Sequence, residues 1–85
     1  MVPTVNSNLS AVQAGETAII QSIHGDPALY HRLVALGFGS GKAVTVVRRG
    51  CFRGPMQVRI GMTDVILRLS DAAKVELQPT ALAAS

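Results

Sequence analysis

From Lys42 onward the chain reads as short runs of alternating apolar and polar residues, cut every few positions by turn formers. This rhythm constrains the fold more than any other feature. Val44 and Val46 straddle Thr45, and Met56, Val58 and Ile60 alternate with Gln57 and Arg59. A period of two sends one set of side chains to a buried face and leaves the other in water. Between these runs Arg48, Arg49 and residues 50–55 form a hairpin loop, and Gly61, Met62, Thr63 and Asp64 turn the chain again. Residues 65–69 read as a further strand, 70–73 as a short capped helical turn and 75–77 as a last short strand.

Ahead of this β-rich half, residues 16–23 (ETAIIQSI) form a strand, since β-branched residues dominate and Gly15 and Gly25 bracket the run. The period then changes. Leu29, Leu33 and Leu36 recur at helical spacing, while His31, Arg32 and Ala35 face elsewhere. Asp26 can cap the first N–H groups, Pro27 fits the first turn, and Gly37 supplies a left-handed stop. One helix over about residues 26–37 follows, with Tyr30 and Phe38 packing at its flanks. Five short strands with one inserted helix specify a mainly β fold, a small closed or half-open barrel.

Size limits what such a barrel can do. The 85 residues suffice for one domain. Residues 9–78 are expected to form it, with 1–8 and 79–85 as fraying tails. With 48% hydrophobic and 15% charged residues the chain is apolar enough to collapse. A lone cysteine, Cys51, excludes an internal disulfide and fits a reducing compartment. The first residues carry no signal-peptide pattern, and no apolar run is long enough for a transmembrane helix, so a cytoplasmic location is expected.

Enzymatic chemistry finds little support in the residues. Gly37, Gly39, Gly41 and Lys42 imitate a phosphate loop, yet this segment leaves a helix and enters a strand, the reverse of the order such a loop needs. Cys51 has no histidine in a context that identifies it as a base, and the five acids are scattered among turns and caps. No catalytic residue and no small-molecule substrate are expected. For a transition metal the candidates are His24, Asp26, His31 and Cys51, an incomplete set for a tetrahedral site. Ferrous iron or zinc would then sit at a surface site or between two chains, where symmetry completes the coordination. No cofactor is required by the sequence.

The formal charge is +3, and five of the six arginines fall between Arg48 and Arg68. A basic stripe implies an anionic partner, or simply the wet face of a small sheet. Single-stranded nucleic acid would need aromatic platforms beside the cations, and only Phe52, between Cys51 and Arg53, qualifies.

The order of these motifs resembles a known family. Leu9, then Gly15-Glu16-Thr17-Ala18-Ile19-Ile20, Arg32-Leu33, Leu36-Gly37, Gly41 before Val44-Thr45-Val46, Gly54-Pro55, and Ile66-Leu67-Arg68-Leu69 ahead of Asp71-Ala72-Ala73 closely resemble the ferrous iron transport protein A (FeoA) family. The resemblance spans roughly residues 9–77. It implies an SH3-like barrel with an inserted helix, a cytoplasmic location with recruitment to the inner face of the membrane, and a non-catalytic role beside the permease FeoB in ferrous iron uptake. On that expectation the helix and hairpin present Arg32, Arg48, Arg49, Phe52 and Arg53 to the permease, its GTPase domain or membrane portion. The competing readings are a basic barrel that binds nucleic acid and a metal-bridged homodimer acting as a sensor, with DNA not expected as a partner.

Overall fold

The computed structural model describes residues 8–79. Five strands form one antiparallel sheet in the order β4-β3-β2-β1-β5. They are β1 (Thr17–Ile23), β2 (Ala43–Arg49), β3 (Met56–Ile60), β4 (Thr63–Leu67) and β5 (Val75–Leu77). Helix α1 (Pro27–Ala35) joins β1 to β2, and a one-turn helix α2 (Leu69–Ala72) joins β4 to β5. The register shifts between Ile20 and Ser22 on β1 and between Val46 and Arg48 on β2. Such irregularities sharpen the right-handed coiling that curls a sheet toward a barrel. Among the described residues β4 and β5 form no ladder with each other, so the barrel is half open.

The alternation expected from the sequence is the alternation observed. Val44, Val46, Met56, Val58 and Ile60 point inward, joined by Ile20, Val65, Leu67, Val75 and Leu77. Leu29 and Leu33 plug one side of this core from α1, Leu36 packs at its margin, and no described polar side chain is buried. The helix ends as its residues require. Asp26 Oδ1 accepts from the Leu29 N–H at 2.8 Å, and Pro27 occupies the first turn. At the other end the Gly37 N–H donates to Val34 O and the Phe38 N–H to Leu33 O, both at 3.0 Å. These are the two bonds of a Schellman motif, and Gly37 carries the positive φ of 110° that the motif demands.

Several boundaries differ from expectation. The helix is shorter at both ends than 26–37, because Asp26 and Leu36 are its caps. Arg48 and Arg49 belong to β2 rather than to the loop, since the register shift lets pairing with Gln57 and Met56 continue past Val46. Thr63 and Asp64 lie in β4, leaving only Gly61 and Met62 to turn the chain, and Leu69 starts α2 instead of ending a strand. Phe38 is buried but Tyr30 is exposed, its ring edge-on to His31. A 3-10 turn at Leu9–Ala11, capped by Asn8, was not anticipated; it seats Leu9 in the core. The expected tails lie almost wholly outside the described residues.

Candidate functional site

The loop between β2 and β3 is short and closed. The Gly50 N–H donates to Pro55 O and the Gly54 N–H to Cys51 O, each at 2.9 Å, around a tight turn whose two central residues are Phe52 and Arg53. At Gly50 an added Cβ would fall 2.6 Å from Pro55 O, so only glycine lets the two limbs approach this closely. The tightness forces the tip into a rare backbone state: Phe52 and Arg53 are consecutive non-glycine residues at φ 53° and 62°. Each left-handed residue costs about 1–2 kcal/mol. The product of that strain is a phenyl ring with 100% relative exposure, Cys51 and Arg53 exposed on either side of it.

The expected arginines divide by what holds them. Arg49 turns inward: its Nη1 donates to Ser10 O at 2.9 Å and Val12 O at 2.8 Å, strapping the N-terminal 3-10 turn to the barrel. The strap uses one nitrogen of a half-buried guanidinium, so the expected outward role of Arg49 is joined by a structural one. Arg32 donates to Asp71 Oδ2 at 3.0 Å, bridging α1 to α2. That pair spans an open groove of about 530 Å³ between α1 and β4, with Leu29, Ile66, Arg68 and Lys74 on its walls. Arg48 and Arg53 are exposed and, among the described residues, have no carboxylate partner.

All five acids are engaged. Asp26 caps α1, Asp71 holds Arg32, and Glu16 accepts from the Gln13 N–H. Asp64 takes a two-point fork from Arg59, at 2.7 and 3.1 Å, with Gln57 beside it. The hydrogen bond from Arg59 holds the Asp64 carboxyl below the usual carboxylate range, and the same bond with its charge holds the Arg59 guanidinium more firmly protonated. Glu76 accepts from His24 Nε2 at 2.7 Å and Ser22 Oγ at 2.9 Å; these two hydrogen bonds, that from His24 first, lower its pKa.

Of the metal candidates, His24 pairs with Glu76, Asp26 is occupied by its cap, His31 lies against Tyr30, and Cys51 is on the hairpin tip. Among the described residues no three His, Cys, Asp or Glu side chains converge. Sequence reading missed Glu76 as the neighbour of His24, because only the β1–β5 register, Ser22 opposite Glu76, brings them together. It likewise missed the strap made by Arg49, for which the local sequence carries no signal.

Known proteins share both the sequence and this architecture. Residues 7–79 match the FeoA domain model. Over 70 residues, 82% of this chain and 8% of the relative, the chain is 37% identical to the Fe(2+) transport protein A/Fe(2+) transporter FeoB fusion protein of Porphyromonas gingivalis. It thus spans under a tenth of the curated relative's length. A zinc-complexed FeoA of Stenotrophomonas maltophilia, described as a prokaryotic SH3 domain protein, superposes with TM-score 0.76 at 31% identity, covering 86% of this chain and 91% of that one. A solution structure of FeoA from Chlorobium tepidum gives TM-score 0.80 at 27% identity over 87% and 70%. The five-stranded sheet with its inserted helix and the match along the whole described segment carry one conclusion: this chain belongs to the FeoA family and has its SH3-like fold.

Proposed function

We propose that this chain is a non-catalytic accessory factor of ferrous iron transport that acts by docking on FeoB. The observation that carries the reading is covalent: in the P. gingivalis relative an FeoA segment and the FeoB transporter share one polypeptide. Fusion holds two modules at high effective concentration, which serves a pair that works in contact. The S. maltophilia protein is described as a candidate ferrous iron transport activating factor, which supports the same role here. No described helix is long and apolar enough to cross a membrane, so in this reading the transport path belongs to the partner.

The docking face in this reading comprises the β2–β3 tip, with Arg48, Phe52 and Arg53, and Arg32 on α1. Arg49 supports that face from behind by fixing the base of the hairpin. An aromatic anchor with flanking arginines is the composition of an interface hot spot. Arg48→Glu with Arg53→Glu is expected to abolish co-purification with detergent-solubilised FeoB and to lower ferrous uptake at least tenfold, with the fold retained by circular dichroism. Unchanged co-purification and uptake would refute this face.

A second reading is supported by the zinc in the S. maltophilia protein and by the juxtaposition of His24 and Glu76. Two such groups on each of two chains would complete a four-ligand transition-metal site. Chelator-dependent dimerisation in sedimentation, lost in His24→Ala but kept in His31→Ala, would establish it.

A further inference from the structure

The tip of the β2–β3 hairpin combines three properties that its docking role on a protein does not by itself require. It carries Phe52, wholly exposed, at the centre of its closing turn. Its backbone is closed by the Gly50–Pro55 and Gly54–Cys51 hydrogen bonds, so that little main-chain ordering remains to be done on contact. It is also free of negative charge: between Ala43 and Thr63 the chain carries four arginines and no acid, and the acids elsewhere are engaged with other groups. Beside the tip lies an open depression of about 420 Å³, where Arg53 faces Ser10 and Ser70, roomy enough for a phosphodiester headgroup.

We propose that this tip is a membrane-contact element: Phe52 enters the interfacial layer of an anionic phospholipid bilayer while Arg48 and Arg53 engage lipid phosphates. An apolar ring at the apex with cations set back from it matches the order of a bilayer surface, where acyl boundary lies beneath the phosphate layer. The absence of any acid in this segment and the full exposure of the ring also fit a broad anionic plane. One aromatic and two cations give only weak, reversible adsorption. Weak, reversible adsorption suffices to concentrate the chain at the membrane surface, where the same tip is released from lipid to dock on the permease. The inference rests on the accessory reading only for its place in the cell, and the contact itself can be measured without the permease.

The test is sedimentation of the purified full chain with phosphatidylcholine vesicles and with vesicles in which part of that lipid is replaced by phosphatidylglycerol. Binding to the anionic vesicles at low salt is expected, falling steeply as salt is raised, with little binding to the neutral ones. Arg48→Ser and Arg53→Ser should each weaken partitioning about fivefold. Phe52→Asn, whose side chain tolerates the left-handed backbone and leaves the core untouched, should weaken it about tenfold with no fall in melting temperature. In Phe52→Trp the indole emission should shift to the blue on adding anionic vesicles, a readout of insertion that surface adsorption does not produce. Equal binding to neutral vesicles, undiminished binding of Phe52→Asn, or a tryptophan that stays in water would each overturn the proposal. So would a wild-type chain that ignores vesicles yet binds single-stranded oligonucleotide, which would assign the cations to nucleic acid. Co-purification of FeoB in detergent, where no bilayer is present, reads the docking reading separately: intact co-purification without vesicle binding sinks only the membrane contact, and the converse sinks only the permease contact.

Discussion

Arg49 shows how far a side chain's role can depart from its local sequence. It sits in a run of exposed-looking cations, yet its guanidinium closes the base of the hairpin by donating to the carbonyls of Ser10 and Val12. Hydrogen bonds from a charged donor to partly buried carbonyls contribute about 1.5–3 kcal/mol. Arg49→Ala is therefore expected to lower unfolding stability by about 2 kcal/mol in urea titrations, whereas Arg48→Ala, one residue earlier and exposed, should change it by less than about 0.5 kcal/mol. Equal effects would show that the strap contributes nothing. Nothing in the sequence near Arg49 announces this, because its acceptors lie almost forty positions away and become neighbours only when the N-terminal turn folds over the barrel. Phe52 was more legible: an aromatic flanked by Cys51 and Arg53 in a glycine-bounded loop has no apolar period to bury it.

At the level of elements, what was readable is what local chemistry alone decides. Asp26-Pro27 and Gly37 bound α1 because a cap, a fixed φ and a left-handed stop each act within a few residues. The β2 and β3 cores were readable because alternation is local too. What escaped was register: the shift after Val46 that extends β2 through Arg49, and the pairing that carries Thr63 and Asp64 into β4, depend on the neighbouring strand. The stop at Gly37 gives a clean test of the local account. An added Cβ there would meet only Ile60 Cγ2, at an ordinary 3.6 Å, so the cost of Gly37→Ala comes from the backbone and not from a clash. A loss of about 1 kcal/mol or slightly more is expected. Gly39→Ala, where φ is not in the positive region, should be close to neutral in the same thermal melts.

For the whole molecule, the family and fold were legible in the ordered set of motifs, while the distribution of charge was not. The sequence shows three more cations than acids; the structure shows that each acid is engaged by another group, which leaves Arg48 and Arg53 at the hairpin without a carboxylate partner among the described residues. That arrangement also sets the response to acid. Glu76 and Asp64 have carboxyls whose pKa values are lowered in the folded state, so between their folded and unfolded values the unfolded chain binds more protons and stability rises with pH. The contribution is complete above the unfolded values, near pH 4, and disappears as pH falls through the lower folded ones. Chemical denaturation at a series of pH values should show this slope below about pH 4.5, shallower in Glu76→Gln and in Asp64→Asn; slopes identical to that of the parent would mean these pairs are too well hydrated to matter.

The strand order has a consequence for how the molecule assembles. Strands β2, β3 and β4 are consecutive neighbours joined by tight turns, whereas β1 must find β5 across a separation of 54 residues, as between Ser22 and Glu76. Chain closure over that span carries more lost entropy than either hairpin. The β2–β3–β4 meander is then the natural nucleus, and the β1–β5 seam the last joint to form and the first to part. The hairpin that carries Phe52 lies inside the nucleus, so the strained tip is among the earliest features built and is preserved when the seam between first and last strands breathes.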